Sequence, residues 1–230
     1  MPPNHDAALE WLALTTSAIR SADPNHPITI GLHMEDLEED RKLGPLEAGQ
    51  FCDFLCMHGY PIYSSWSRGP KDALLLPFLA LVTEWLGNRE VLFEEFGAPT
   101  LPAQPDEDLT RTSTTLLAEA DAAEFTASAL SLLLDYGLLG GFIWCFGDYA
   151  RNLWALPPLD QAVHERYFGL WRSDGSRKPA GEVVAQFNRA SPDPRPRNLD
   201  WIDIKPNQFY ESPAQNLRRL YQRLQSMVEQ

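Results

Sequence analysis

The chain has 230 residues, 44% of them hydrophobic and 11% aromatic, enough for one sizeable core and an appendage. A formal charge of -13 argues against sequence-independent binding to nucleic acid or an anionic membrane, both of which need clustered Lys and Arg, and makes a neutral partner more natural. Three cysteines, an odd number without metal-ligand spacing, give no disulfide framework. Cys52 and Cys56 lie four apart on a predicted strand, about 13 Å by strand rise, and read as reduced, buried thiols. The longest uncharged apolar run, Ala73 to Val82, contains a proline and is too short for a bilayer. The first residues carry no basic, apolar, small-residue leader pattern, so the chain as given is expected to be cytoplasmic.

Asn4 is placed to cap a first helix in which Leu9, Leu12, Ala13, Thr16 and Ile19 recur at helical spacing, ending at Asp23-Pro24. Ile28 to Leu32 is a short β-branched run that suits a buried strand, with His33, Glu35 and Asp36 just past its end. Because Glu38, Glu39 and Asp40 continue the charge, those three residues read as a solvated acidic loop. After Gly44-Pro45 a short helix is expected, then a second strand over Phe51 to Tyr60 on which Phe54, Cys56, His58 and Tyr60 share a face. A His-x-Tyr pair at a strand mouth offers hydrogen bonds to a neighbouring carboxylate. Tyr63 and Trp66 follow on a loop, either as cover for the core or as platforms for sugar rings.

Leu74 to Leu86 has the apolar density of a sheet-packed helix and leads into Val91 to Gly97, Val-Leu-Phe-Glu-Glu-Phe-Gly. This apolar run ends in two carboxylates and a glycine. Period-two alternation predicts that only one of Glu94 and Glu95 points inward; a strand-end ion pair or helix cap is the bland alternative. A proline-rich loop over Pro99 to Pro105 precedes a long helix from Ser113 to Tyr136, with Leu116, Ala120, Ala123, Ala127, Leu130 and Leu134 as its stripe and Gly137 as its stop. A fourth strand is expected over Gly140 to Tyr149, where Phe142, Trp144, Phe146 and Asp148 share a face and Phe142 reads as core. Beyond a loop with Trp154 come an Asp174-Gly175 turn and a sheet-packing helix from Pro179 to Asn188.

Three segments are expected: residues 1–190 as the main domain, 191–212 as a Pro-rich connector that is stiff over Ser191 to Arg197, and 213–230 as a C-terminal amphipathic helix. In the helix, Ser212, Pro213 and Gln215 suggest a capping box, and Leu217, Leu220, Tyr221, Leu224 and Val228 form an apolar stripe that docks back.

Strands alternating with helices, each strand ending in polar or aromatic residues, is the grammar of a parallel α/β domain with its site at the strand mouths. The His-Gly-Tyr at 58 to 60, Glu-Phe-Gly at 95 to 97, Ile-Trp at 143 to 144 and the closing segment Phe168 to Ala180 resemble the sixth, seventh and eighth strands and final barrel segment of the cellulase-like glycoside hydrolases, family 5 and its clan A relatives. The resemblance covers Ile28 to Phe187. It implies a TIM-type (β/α) barrel of which only strands five to eight are present, a half barrel followed by a C-terminal helix. It further implies retaining cleavage of a β-linked glucan or mannan without metal or organic cofactor. Glu95 is then the nucleophile, with Glu94 pointing away in a structural role. His58 and Tyr60 flank Glu95, Tyr60 holding its carboxylate, and Trp144 is the floor under the sugar. From position alone, Tyr63, Trp66 and Phe146 are expected to line subsites.

In that family the acid/base is the Glu of an Asn-Glu step, and no Asn-Glu occurs in this chain. Glu35 and Asp148 are the nearby carboxyls that could substitute, without family precedent. Activity is therefore expected to need the absent first half, and a second chain or second copy could cover the open barrel edges. The competing readings are a non-catalytic carbohydrate-binding or assembly half barrel, and an unrelated α/β fold in which Glu95 is structural.

Overall fold

The computed structural model describes residues 5–103, 106–187 and 198–229. Its centre is a parallel sheet of β1 (Leu55–His58), β2 (Val91–Phe96) and β3 (Gly140–Ile143), in that spatial order. The connections are α4 (Leu75–Gly87) between β1 and β2, and α5 (Glu119–Asp135) between β2 and β3. Before the sheet lie α1 (His5–Ala22) and two single-turn helices, α2 (Glu35–Glu38) and α3 (Pro45–Ala48). After it come α6 (Pro179–Gln186), α7 (Pro206–Phe209) and α8 (Pro213–Val228). The protein is an α/β fold, as the alternating pattern predicts. The cap expected from Asn4, the end of the Pro99 to Pro105 loop and the stiff stretch Ser191 to Arg197 lie outside the described residues.

The expected strand at Ile28 to Leu32 runs alongside β1 without becoming a full member of the sheet. Asp53 N donates to Ile28 O at 2.9 Å, His58 N to Leu32 O at 2.7 Å and Met34 N to His58 O at 2.9 Å, and the only bridge there pairs His33 with His58. The fourth expected strand is cut short at Ile143. From Cys145 onward its backbone groups are satisfied by residues 168–171 instead of by β2: Cys145 N bonds Phe168 O, Leu170 N bonds Cys145 O and Asp148 N bonds Trp171 O, at 2.8–3.1 Å.

One face of the sheet is closed. Val91, Phe93 and Phe96 are fully buried under α4 and α5, and α4 itself is buried almost all round because it lies between the sheet and α8. The stripe of α5 is one residue out of phase with the expected one. Ala122, Phe125, Thr126, Ala129 and Leu133 are buried, whereas Ala120 is exposed. Alanines and leucines occur on most sides of this helix, so the large ring of Phe125, packed edge-on to Phe96, sets the phase. The helix also starts later than Ser113, because Leu117 is held in an extended bridge by Pro99 O and Leu101 N.

The opposite face of the sheet is open among the described residues. Phe142, expected in the core, is 59% exposed there, since its neighbours Gly141 and Ile143 take the helix side. No strand lies beyond β3 on its outer side among the described residues. Trp11 and Leu14 of α1 are also exposed.

The last helix docks as its stripe predicts. Leu217, Leu220, Tyr221 and Leu224 are buried, each stabilising the fold by about 1.5–3 kcal/mol, while Val228 falls outside the contact. The Tyr221 hydroxyl donates to the buried carboxylate of Asp72 at 2.6 Å, which is also held by Arg68. The expected capping box does not form: the Ser212 side chain makes no cap bond. Trp201, Ile202 and Phe209, within the 191–212 stretch, are buried in the same core.

Candidate active site

The site is built on a bulge in β2. Leu55 and Cys56 pair with Val91 and Leu92, but His58 pairs with Glu95, so three steps along β2 match two along β1. The other side repeats the mismatch, with Phe93 opposite Gly141 and Phe96 opposite Ile143. An extra residue in a strand breaks the two-residue alternation. Here it sends Phe93 and Phe96 to the helix side together and leaves both Glu94 and Glu95 at the mouth. The expectation that Glu94 points away is thereby corrected: His58 Nε2 lies 3.0 Å from Glu94 Oε2, and His58 Nδ1 lies 3.8 Å from Glu95 Oε2.

Glu95 is held from the other side by Tyr60, whose hydroxyl donates to Oε1 at 2.5 Å. Burial, reinforced by this carboxylate, pushes the Tyr60 hydroxyl far above the usual phenol range, so it remains a donor. Behind Glu94 sits Cys56, whose thiol burial pushes up to about 12; it stays protonated and contacts Thr29 Oγ1 at 3.3 Å. His33 sits beside this group through its bridge to His58, and burial lowers its pKa, keeping the ring neutral near pH 7.

Trp144 follows β3 directly, its N–H bonded to Phe96 O at 2.8 Å. This contact explains the glycine of the Glu-Phe-Gly step. A Cβ on Gly97 would lie 2.1 Å from the Trp144 carbonyl oxygen, so only glycine lets the two strand ends approach. Tyr63 packs on Tyr60 with ring centroids 5.5 Å apart and donates to Glu165 Oε1 at 2.9 Å; His164 Nε2 is 2.9 Å from the same hydroxyl. Burial would raise the Glu165 pKa, but hydrogen bonds from His164, Tyr63 and Trp144 outweigh it, and the carboxylate is held below its usual range.

Five of the seven predicted residues, His58, Tyr60, Tyr63, Glu95 and Trp144, thus converge. Two do not. Trp66 packs edge-on against Phe78 and Tyr221 and bonds Glu38 at 2.6 Å, so it anchors α8 instead of lining the mouth. Phe146 is 76% exposed and stacks on Trp171. Of the substitute carboxyls, Asp148 is buried against Lys178 and Glu35 is tied to Arg41 on the surface. His164 and Glu165, which sequence reasoning passed over, sit in a 3-10 turn (Val163–Tyr167) without strand or helix periodicity; their one signal was proximity to the closing segment from Phe168.

No protein-family model and no curated protein matches the sequence. Among solved structures the fold is similar to a GH5_18 protein from Streptomyces cattleya in complex with GlcNAc, at 23% identity and TM-score 0.65, covering 84% of this chain and 45% of that one. A GH5_18 protein from Bifidobacterium longum subsp. longum gives 20% identity and TM-score 0.61 over 81% of this chain and 43% of that one. The beta-glucuronidase of Bifidobacterium dentium, complexed with coumarin-3-O-glucuronide, gives 19% and 0.56 over 77% and 26%. The chain therefore spans less than half the length of these glycosidases. At this identity the likeness establishes the fold: a GH5-like α/β arrangement matching part of a glycosidase barrel.

Proposed function

We propose that the chain forms strands five to eight of a retaining β-glycosidase barrel acting on a β-linked glucan or mannan, with Glu95 as nucleophile. The observation that carries this reading is the convergence of Glu95, Tyr60, His58 and Trp144 at the mouth of a parallel sheet, with Glu95 fixed by the Tyr60 hydroxyl. In the reaction a Glu95 oxygen attacks the anomeric carbon while the bond to the leaving oxygen breaks, and that oxygen takes a proton from an acid about 5–5.5 Å away. Water then attacks the glycosyl-enzyme and the second group takes its proton. On the family pattern that acid belongs to the first half of the barrel, supplied by a longer polypeptide or a second chain, whereas a second copy of this chain could only cover the open barrel edges. Trp144 stacks on the sugar ring, and no cofactor is needed.

An activated aryl 2-deoxy-2-fluoro-β-glycoside tests the nucleophile without the acid, because its phenolate leaves unprotonated. Mass spectrometry should find one glycosyl group on Glu95, absent from Glu95→Gln. Saturable sugar binding with no label would instead favour the non-catalytic carbohydrate-binding reading. Neither label nor binding would refute both.

A further inference from the structure

Several half-buried carboxylates elsewhere in the fold meet a Lys or Arg: Asp148 meets Lys178, Glu119 meets Arg172 and Asp106 meets Arg166. Glu165 does not. Its side chain is 27% exposed, and its partners among the described residues are the hydroxyl of Tyr63, the ring of His164 and a hydrogen bond from Trp144. A carboxylate withdrawn from water without a Lys or Arg is costly to keep charged. Here Tyr63, His164 and Trp144 together outweigh that cost and hold the carboxylate below its usual range, and Tyr63 and Trp144 are residues expected to surround the sugar. The Tyr60 and Tyr63 rings lie between it and Glu95, and its charge is felt at both hydroxyls.

Resting on the glycosidase reading above, we propose that Glu165 is a specificity-determining carboxylate, accepting hydroxyl hydrogens of a neutral pyranoside and rejecting uronic acids. An ionised carboxylate forms its shortest and strongest hydrogen bonds with O–H donors, which a neutral pyranoside supplies at several ring carbons and at C6. With Glu94 and Glu95 it makes the described mouth a cluster of three carboxylates with no Lys or Arg bonded to them, a poor host for a sugar carboxylate. The contrast is pointed, because fold neighbours of this chain include beta-glucuronidases.

The test compares covalent labelling of Glu95 by two activated 2-fluoro reagents, a mannosyl and a mannuronyl, which differ only in CH2OH against carboxylate at C6. The unmodified chain should prefer the mannosyl reagent. Glu165→Gln, which keeps the shape, should shift the ratio of labelling rates toward the mannuronyl reagent by about tenfold or more. Tyr63→Phe, which loosens the presentation of Glu165 and keeps its charge, should weaken both reagents with little change in ratio. An unchanged ratio in Glu165→Gln, in a chain that still labels, would overturn this inference and leave the glycosidase reading standing. Failure of the unmodified chain to label or bind either sugar would overturn both.

Discussion

The pair formed by Lys178 and Asp148 gives the sharpest energetic expectation in the fold. Their side chains are 3% and 9% exposed, and the ammonium donates to three acceptors: Asp148 Oδ1 at 2.7 Å, Thr100 Oγ1 at 2.8 Å and Tyr167 O at 3.0 Å. Burial raises the Asp148 pKa against the pull of Lys178, and lowers that of Lys178. Lys178→Met would leave a buried carboxylate with the Gly169 N–H as its remaining bond, at a cost of about 3–5 kcal/mol. At about 2–4 °C per kcal/mol for a chain of this size, the melting temperature should fall by roughly 6–20 °C. Adding Asp148→Leu removes the stranded charge, and the double variant should recover most of the loss or exceed the parent by about 1 kcal/mol or more. In the single variant the folded-state pKa of Asp148 lies further above its unfolded value of about 3.9, so the folded state binds the extra proton. The deficit is therefore greatest above the folded pKa and vanishes as pH falls below about 3.9. Urea unfolding followed by circular dichroism, at several pH values, measures all of this. A single-variant loss under about 1 kcal/mol, or strict additivity in the cycle, would refute the reasoning.

Glu94→Gln should slow glycosyl labelling of Glu95 about tenfold, because it weakens the hold on His58, whereas Glu95→Gln should abolish it; intact-protein mass spectrometry over time separates the two. Leu217→Ala should destabilise the fold by about 2–5 kcal/mol in urea titration, against about 0.5 kcal/mol for the exposed neighbour Arg218→Ala. Because burial lowers the His33 pKa, the unfolded chain takes up the proton first. Its contribution is full above about pH 6.5 and is lost as pH falls from there toward the folded value; stability curves of the parent should show this loss and those of His33→Gln should lack it.

Much of this arrangement was legible in the sequence because it depends on local pattern. The apolar density of α4, the stripe of α8 and the polar ends of β1 and β2 follow from side-chain periodicity. What could not be read depends on partners distant along the chain. The bulge that turns Glu94 inward is a register relation between β2 and both of its neighbours, invisible in Val91 to Gly97 alone. The early end of β3 reflects a competing segment, 168–171, that captures its backbone groups. Trp66 looked like an exposed loop aromatic because the helix that covers it, α8, lies some 150 residues away, as the Tyr221–Asp72 bond of sequence separation 149 illustrates. Glu165 lacked any periodic context, and only the fold brings it to Tyr63, a separation of 102 residues.

The open face beside β3 has a colloidal consequence. Phe142 and the outer edge of that strand, on which no strand lies among the described residues, are a surface on which a second copy could pair, and what opposes such contact is mutual repulsion between chains of formal charge -13. That repulsion reaches about 30 Å at 0.01 M salt but about 3 Å at 1 M. Dilute buffer is thus a dispersant for this molecule, and added salt, the usual remedy for sticky proteins, draws its uncovered faces together.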